Sequence, residues 1–164
     1  MHQQAYEWIE QHGTDQPVEV LDLGGRDVNG NPYDIWPKAT RYAVLDIRDG
    51  PGVDFVADAG TWEPDQEYDV VVSAETFEHT ANWAAICRTA YKALKPGGTF
   101  IVTTAGPGRP PHSAVDGMQR LLPGEHYANV PGFELKRVLT ETGFRDIVVD
   151  TQSDPADTRS VAVK

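Results

Sequence analysis

Short apolar segments alternate with amphipathic ones along this chain. Five runs rich in β-branched residues are apolar at nearly every position, which is typical of strands covered on both faces. They span residues 18–23, 42–47, 53–57, 68–73 and 99–104. Apolar positions at helical spacing predict helices over 3–12, 81–94 and 133–142. This alternation predicts an α/β fold with a mostly parallel sheet and helices on both faces.

The last part of the chain has a different pattern. Residues 144–150 and 159–163 read as two strands, joined by the short polar segment 151–157. A connection this short can only join antiparallel strands, so we predict a terminal hairpin. Residues 105–130 are rich in Gly, Pro and polar side chains, which predicts a long loop of the kind that often carries function.

Composition narrows the possible functions. A length of 164 residues predicts one domain, residues 1–164. The formal net charge of −11 disfavours binding to nucleic acid. No apolar run is long enough to predict a membrane span, and residues 1–8 do not resemble a signal peptide, so we expect a cytoplasmic protein. The single cysteine, Cys87, lies in an apolar helical segment and is expected to be a buried core thiol.

Acidic residues and glycines follow the first three predicted strands. Asp22 precedes Gly24 and Gly25, Asp46 ends the second strand, and Asp58 ends the third. Ligands bind at this edge of an open α/β sheet, where glycine lets backbone approach a ligand closely. Asp46 is suitably spaced to accept hydrogen bonds from ribose hydroxyls, and Asp58 to meet an adenine edge. Each signal alone also fits an ordinary turn or helix cap.

The chain resembles class I S-adenosylmethionine-dependent methyltransferases over nearly its whole length. The resemblance is carried by residues 20–25, 44–46, 57–59, 68–75, 94–98 and 141–144. It implies a seven-stranded Rossmann-like sheet of order 3-2-1-4-5-7-6, with strand 7 antiparallel. It also implies that S-adenosylmethionine is held by Asp22, Gly24, Gly25, Arg26, Asp46, Ile47, Asp58, Ala59 and Ser73. Asp22 and Gly24 would line its methionine end, Asp46 its ribose and Asp58 its adenine amino group.

Arg26 departs from the family pattern, because it stands where the glycine-rich motif has its second glycine. Its guanidinium either pairs with the carboxylate of the donor or intrudes on the pocket. NAD is the competing ligand. The missing third glycine, the short first crossover and the terminal hairpin argue against it.

A cluster of polar residues follows the fourth predicted strand. If a helical turn begins there, Glu75, Glu78 and His79 share one face. The segment resembles the Glu-x-x-Glu-His motif of polyprenyl-benzoquinol O-methyltransferases and small-RNA 2′-O-methyltransferases. That resemblance implies a Mg²⁺-type ion held by Glu75, Glu78 and His79, with a histidine from the later loop, for which His126 is our first candidate and His112 the other. Without metal, the catalytic candidates are His79, Glu75 and His112.

The function expected from these features is methyl transfer from S-adenosylmethionine to an oxygen or nitrogen atom of a small molecule. The acidic chain, without an added recognition domain, favours a small acceptor. Two alternatives remain open. Arg26 and the short first helix allow a non-catalytic binding module, and a basic partner would allow a nucleic-acid methyltransferase.

Overall fold

The computed structural model describes all 164 residues and is built around one seven-stranded sheet. The strands are β1 (Glu19–Leu23), β2 (Arg41–Asp46), β3 (Phe55–Val56), β4 (Tyr68–Ala74), β5 (Leu94–Ala105), β6 (Arg145–Thr151) and β7 (Asp157–Val163). Their order is β3-β2-β1-β4-β5-β7-β6. Neighbouring strands from β3 to β5 are parallel, whereas β7 is antiparallel to both β5 and β6. The predicted fold class, strand order and terminal hairpin are confirmed.

Three α-helices and two 3₁₀ turns flank the sheet. They are α1 (Gln3–Gln11), α2 (Trp83–Ala93), α3 (Gly132–Thr142) and the turns Tyr33–Ile35 and Phe77–His79. Helix α3 ends at Gly143, whose φ of +110° provides the left-handed cap that glycine favours. None of these helices is long and apolar enough to traverse a lipid bilayer.

Apolar side chains cover both faces of the sheet. On one face, Leu21 and Val71 lie in a core with Leu135 of α3 and with Cys87 of α2, which is fully buried. On the other, Trp8 of α1 packs among a second cluster of strand and turn side chains. Burial raises the pKa of the Cys87 thiol to about 12, so the thiol stays protonated and fits the predicted core role.

Two strands, β3 and β5, differ most in length from the prediction. Strand β3 has only two residues, because the Asp54 carboxylate accepts the Val44 N–H at 2.8 Å and replaces a backbone carbonyl in the ladder. Strand β5 begins at Leu94, directly after α2, instead of at Thr99. The β4–β5 register shifts between Tyr68 and Val70, and this irregularity accommodates the glycines that precede Thr99.

A long irregular segment connects β5 to α3. This segment, residues 106–131, is called the long loop below. The Val130 N–H donates to Ala105 O and the Gly106 N–H donates to Ala156 O, both at 2.8 Å. The two ends of the long loop are therefore fixed close together, at the tip of β5.

Candidate active site

A cavity of about 560 Å³ opens at the carboxyl edge of the sheet. Its walls come from the segments that follow β1, β2, β3 and β4 and from the long loop, which covers one side. Because the carboxyl ends of parallel strands meet at one edge, the predicted strand-end residues converge here. The volume is that of a site for a small organic molecule or cofactor.

The turn after β1 brings backbone to the cavity wall. Gly24 has a φ of +82°, and the N–H groups of Gly24 and Gly25 both donate to Leu45 O, at 2.7 and 3.3 Å. A Cβ on Gly24 would overlap the Thr76 side chain, and one on Gly25 would overlap the Asp22 carboxyl group. Both glycines line the cavity, as predicted, and neither position has room for a side chain.

Asp22 lies beneath that turn and not in the cavity wall. Its side chain is buried, and Oδ2 accepts the Tyr42 hydroxyl at 2.9 Å, while Oδ1 has no partner. Burial raises the pKa of Asp22 to about 7. The predicted direct contact between Asp22 and the donor is therefore replaced by support of the glycine turn from below.

Asp46 is oriented by two backbone amides at the tip of β2. Its Oδ1 accepts the Arg48 N–H at 2.9 Å, and its Oδ2 accepts the Arg26 N–H at 3.2 Å. A carboxylate has about four acceptor sites, so this fixed group keeps capacity for further donors. Asp46 and Ile47 both line the cavity, and Ile47 is exposed at its mouth.

The end of β3 contributes the next two predicted residues, Asp58 and Ala59, to the same wall. Asp58 Oδ1 accepts the Gly60 N–H at 2.8 Å, which begins a tight turn. Asp58 therefore acts as a turn residue, which is the alternative interpretation of its position. Ser73, in contrast, is fully buried and donates to Leu23 O at 2.8 Å, so it joins the tips of β1 and β4 beneath the cavity.

The Arg26 side chain lines the cavity and does not fill it. Its Nη2 donates to Ala114 O at 3.0 Å, and its Nε lies 4.0 Å from Asp46 Oδ1. The guanidinium therefore forms part of the cavity wall, between the loop after β2 and the long loop, and the cavity stays open beside it.

Glu75 is separated from Glu78 and His79. It has a φ of +52°, unusual for a residue with a side chain, and its N–H donates to Thr103 O at 2.8 Å. The following 3₁₀ turn begins only at Phe77, so the expected single face is not formed. The left-handed backbone at Glu75 breaks the helical spacing, so Glu75 joins a different group of potential ligands from Glu78 and His79.

Glu75 instead joins a cluster of charged residues from distant parts of the chain. Arg109 of the long loop pairs with Glu75, at 3.4 Å, and with Asp157. His2 Nε2 lies 3.1 Å from Asp157 Oδ2 and 3.5 Å from Glu75 Oε2. Hydrogen bonds to Asp157 and Glu75 raise the pKa of His2 to about 9. Burial opposes ionisation of Glu75, but His2 and Arg109 together hold its pKa below the ordinary value.

Glu78, His79 and His112 form a second cluster, in which one ligand atom of each lies within 4.8 Å of the others. Of the two candidate loop histidines, His112 joins this cluster, whereas His126 lines the cavity outside it. The rings of His79, His112 and Tyr127 pack edge to face, with centroids 4.9 to 5.6 Å apart. The buried Glu78 accepts the Thr104 hydroxyl at 2.8 Å. Three of the four predicted metal ligands are thus divided between two clusters, and the fourth belongs to neither.

The protonation states of this second cluster are set by burial. Burial, followed by the nearby charge of Glu75, raises the pKa of Glu78 to about 8. Burial, followed by His112, lowers the pKa of His79 to about 4. Burial also lowers the pKa of His112. At neutral pH, His79 is therefore an uncharged imidazole, and its Nδ1 has no hydrogen-bond partner.

Sequence reasoning missed several residues of the site. Asp157 was read as part of a polar connection, and His2 precedes the first predicted helix without any local signal. Thr76 is the third. Its contact with Gly24 follows only from the packing of the β1 and β4 tips. No spacing rule reports these contacts, because their partners are 48 or more residues away.

The fold and the cavity define a Rossmann-like protein of the methyltransferase class. A family model described as a methyltransferase domain matches residues 3–149. The chain belongs to the class I S-adenosylmethionine-dependent methyltransferase family, which confirms the resemblance read from its motifs.

Individual relatives are distant. A wheat (Triticum aestivum) phosphoethanolamine N-methyltransferase is 29% identical over 99 residues, which cover 56% of this chain and 18% of that protein. The structure of Haemonchus contortus phosphoethanolamine N-methyltransferase 2 with S-adenosyl-L-methionine aligns with a TM-score of 0.73 and 17% identity. It covers 98% of this chain and 52% of that one, so the chain spans about half the length of this relative, or less for the wheat enzyme.

A second similar structure spans more of its own chain. Burkholderia thailandensis 1,6-didemethyltoxoflavin-N1-methyltransferase, with bound 1,6-didemethyltoxoflavin and S-adenosylhomocysteine, has a TM-score of 0.70 and 15% identity. The alignment covers 99% of this chain and 77% of that one. At these identities the structures establish a common fold.

Proposed function

We propose that this chain binds S-adenosylmethionine and directs its methyl group to a nitrogen or oxygen atom of a small molecule. One observation carries the proposal: a single cavity is lined both by Asp46 and Asp58 and by Glu75 and His79. The first pair suits a nucleoside, and the second pair suits a reacting polar group. The site residues are proposed from this geometry together with the family pattern.

The donor half of the cavity fits an adenosine. Asp46 is fixed by two backbone amides and keeps acceptor capacity for ribose hydroxyls. Gly24 and Gly25 also line the cavity, where glycine lets the backbone approach a ligand closely. Asp58 and Ala59 continue the wall on the side proposed for adenine.

The acceptor half offers groups that can orient a nucleophile and take up its proton. The sulfonium of the donor supplies an electrophilic methyl group when bound, so the residues of the chain need only align the acceptor and remove a proton. His79 lines the cavity as a neutral imidazole, the protonation state that a base requires. We propose His79 as the proton acceptor, with His112 and Glu75 positioning the substrate.

A small acceptor is favoured by charge and by the proteins of similar fold. The net charge of −11 opposes a phosphate backbone as substrate. The relatives named above act on phosphoethanolamine and on 1,6-didemethyltoxoflavin, which are both small molecules. Both compounds are rational first acceptors to offer this chain.

Glu78, His79 and His112 are also the candidate ligands of a divalent cation, since carboxylate and imidazole atoms come together there. A turnover assay in EDTA examines this role. If the cluster holds a cation, EDTA abolishes S-adenosylhomocysteine formation and Mg²⁺ restores it. Full turnover in EDTA would rule out a cation in this cluster, and His79 would then be the proposed base without a metal.

Calorimetry with S-adenosylhomocysteine tests the donor site. We expect the wild-type chain to bind it, and Asp46→Ala to weaken binding by roughly 1.5–3 kcal/mol through loss of charged hydrogen bonds. Asp49→Ala is the matched control, because Asp49 lies in the same loop and accepts only from Gly50. No binding by the wild type, or equal binding by the Asp46 variant, would refute the proposal.

A further inference from the structure

Arg26 is the one side chain that joins the donor half of the cavity to the long loop by a direct hydrogen bond. Its Nη2 donates to Ala114 O at 3.0 Å, whereas its Nε faces Asp46 Oδ1 at 4.0 Å. A guanidinium presents five N–H groups in a planar fork, so it can meet two acceptors at once. The carboxylate proposed for the ribose and the covering loop therefore share one partner.

Packing around Arg26 holds it in this bridging position. A Cβ on Gly50 would lie 3.0 Å from Arg26 Cδ, so the arginine side chain runs closely over bare backbone in the loop after β2. At the far side, a Cβ on Gly117 would lie 3.3 Å from Asn29 Nδ2. The segment after β1 and the long loop thus meet across the cavity, with Arg26 forming the polar link between them.

We propose that Arg26 is a positioning residue that couples occupation of the donor site to closure of the long loop over the acceptor. A donor bound at Asp46 shares this oriented carboxylate with the guanidinium of Arg26, which also donates to Ala114 O. The neighbouring Ser113 and Ala114 line the cavity, so closing this part of the loop encloses both ligands. The inference rests on the proposed function, because it requires a donor at Asp46.

Linkage makes the coupling measurable in both directions. If donor binding favours the closed loop, then the closed loop favours donor binding by the same factor. Two amides report closure from within the long loop: the Ser113 N–H donates to Met118 O at 2.9 Å and the Gly117 N–H donates to Ser113 O at 3.0 Å. Their hydrogen exchange measures how often this part of the loop opens.

The experiment measures exchange of these two amides in the wild type, Arg26→Ala and Arg26→Lys, each with and without S-adenosylhomocysteine. Without ligand, we expect exchange in Arg26→Ala to be about tenfold faster, as for loss of one hydrogen bond from a charged donor. With ligand, exchange slows in the wild type and not in either variant. Lysine keeps the charge but lacks the planar fork, so it should not restore the coupling.

Arg48→Ala is the matched control, since Arg48 meets Asp46 through its backbone N–H. It removes the same charge from the same rim, and we expect the ligand to slow exchange as in the wild type. Unchanged exchange in ligand-free Arg26→Ala, or equal slowing by ligand in all variants, overturns the coupling. Absence of S-adenosylhomocysteine binding by the wild type would refute the proposed function. The comparison of exchange between ligand-free wild type and Arg26→Ala would still test whether the Arg26–Ala114 hydrogen bond holds the loop.

Discussion

Asp22 carries a carboxyl group that is kept from water directly beneath the glycine turn. The two carboxyl oxygens differ in hydrogen bonding, because Oδ2 accepts the Tyr42 hydroxyl and Oδ1 has no partner. The energetic cost of burying a charge raises the pKa to about 7, so the folded chain retains a proton that an exposed aspartate releases. Asp22 therefore links folding to pH.

The replacement Asp22→Asn should alter how stability depends on pH. The folded-state pKa lies above the ordinary value of 3.8, so the contribution of Asp22 is fully present below about pH 4. It is lost as pH rises to about 7. We expect wild type to lose stability relative to Asp22→Asn over this interval, which urea unfolding at several pH values measures.

Asp49→Asn controls for the general loss of one negative charge, because Asp49 is exposed and caps its own loop. Its difference from wild type should vary much less with pH. A difference between wild type and Asp22→Asn that stays constant from pH 4 to pH 8 would contradict a protonated Asp22.

At the scale of elements, the joint between β1 and its following loop depends on tight contact with β4. Gly24 combines a left-handed φ with a position against Thr76, whose hydroxyl donates to Leu23 O and Gly24 O at 3.4 and 3.3 Å. A side chain here meets two obstacles, one conformational and one steric.

Comparison of Gly24→Ala with Gly52→Ala separates these obstacles. Gly52 has a similar φ, +79° against +82°, but a Cβ there would enter open space. We expect Gly24→Ala to lower the free energy of unfolding by roughly 1–3 kcal/mol more than Gly52→Ala, because only Gly24 adds overpacking. Chemical denaturation measures both. Equal losses of stability would mean that the Thr76 side chain can move to accommodate the added methyl group and that the contact between the ends of β1 and β4 is not tightly packed.

The elements themselves were largely predictable, because periodicity reports burial. Strands β1, β2 and β4 lie within one or two residues of the predicted runs, since each is covered on both faces. Strand β3 was predicted too long, because the pattern cannot show that Asp54 replaces part of the ladder with its side chain. The sequence pattern also did not predict that Glu75 and Glu78 belong to different clusters, because this depends on the left-handed backbone of one residue, Glu75.

Sequence patterns predicted the site residues at the strand ends, but not the contacts between residues far apart in the chain. The tips that carry Gly24, Asp46 and Asp58 were predictable, because strand ends of a parallel sheet must meet. The cluster of His2, Glu75, Arg109 and Asp157 was not, because it joins four segments that no local pattern relates. Asp22 and Ser73 were predicted to line the cavity, but both side chains are buried beneath its wall.

For the whole molecule, charge determines which large partners are accessible. A net charge of −11 repels polyanions at long range, and salt screens this repulsion. We expect no binding to duplex DNA or single-stranded RNA at about 0.15 M salt, measured by fluorescence anisotropy. Binding that weakens steeply with added salt would instead reveal a basic surface and revive the nucleic-acid alternative.

The hydrogen bonds at Ala105 and Gly106 hold the two ends of residues 106–131 close together at the tip of β5. The entropic cost of closing a loop rises only slowly with its length. We therefore expect that residues can be inserted into the exposed part of this loop with little effect on the stability of the sheet. Asp46 and Asp58 lie on other segments of the same cavity wall, so an insertion within residues 106–131 leaves their placement unchanged. The shape of one side of the cavity can therefore vary independently of the strand tips on the other side.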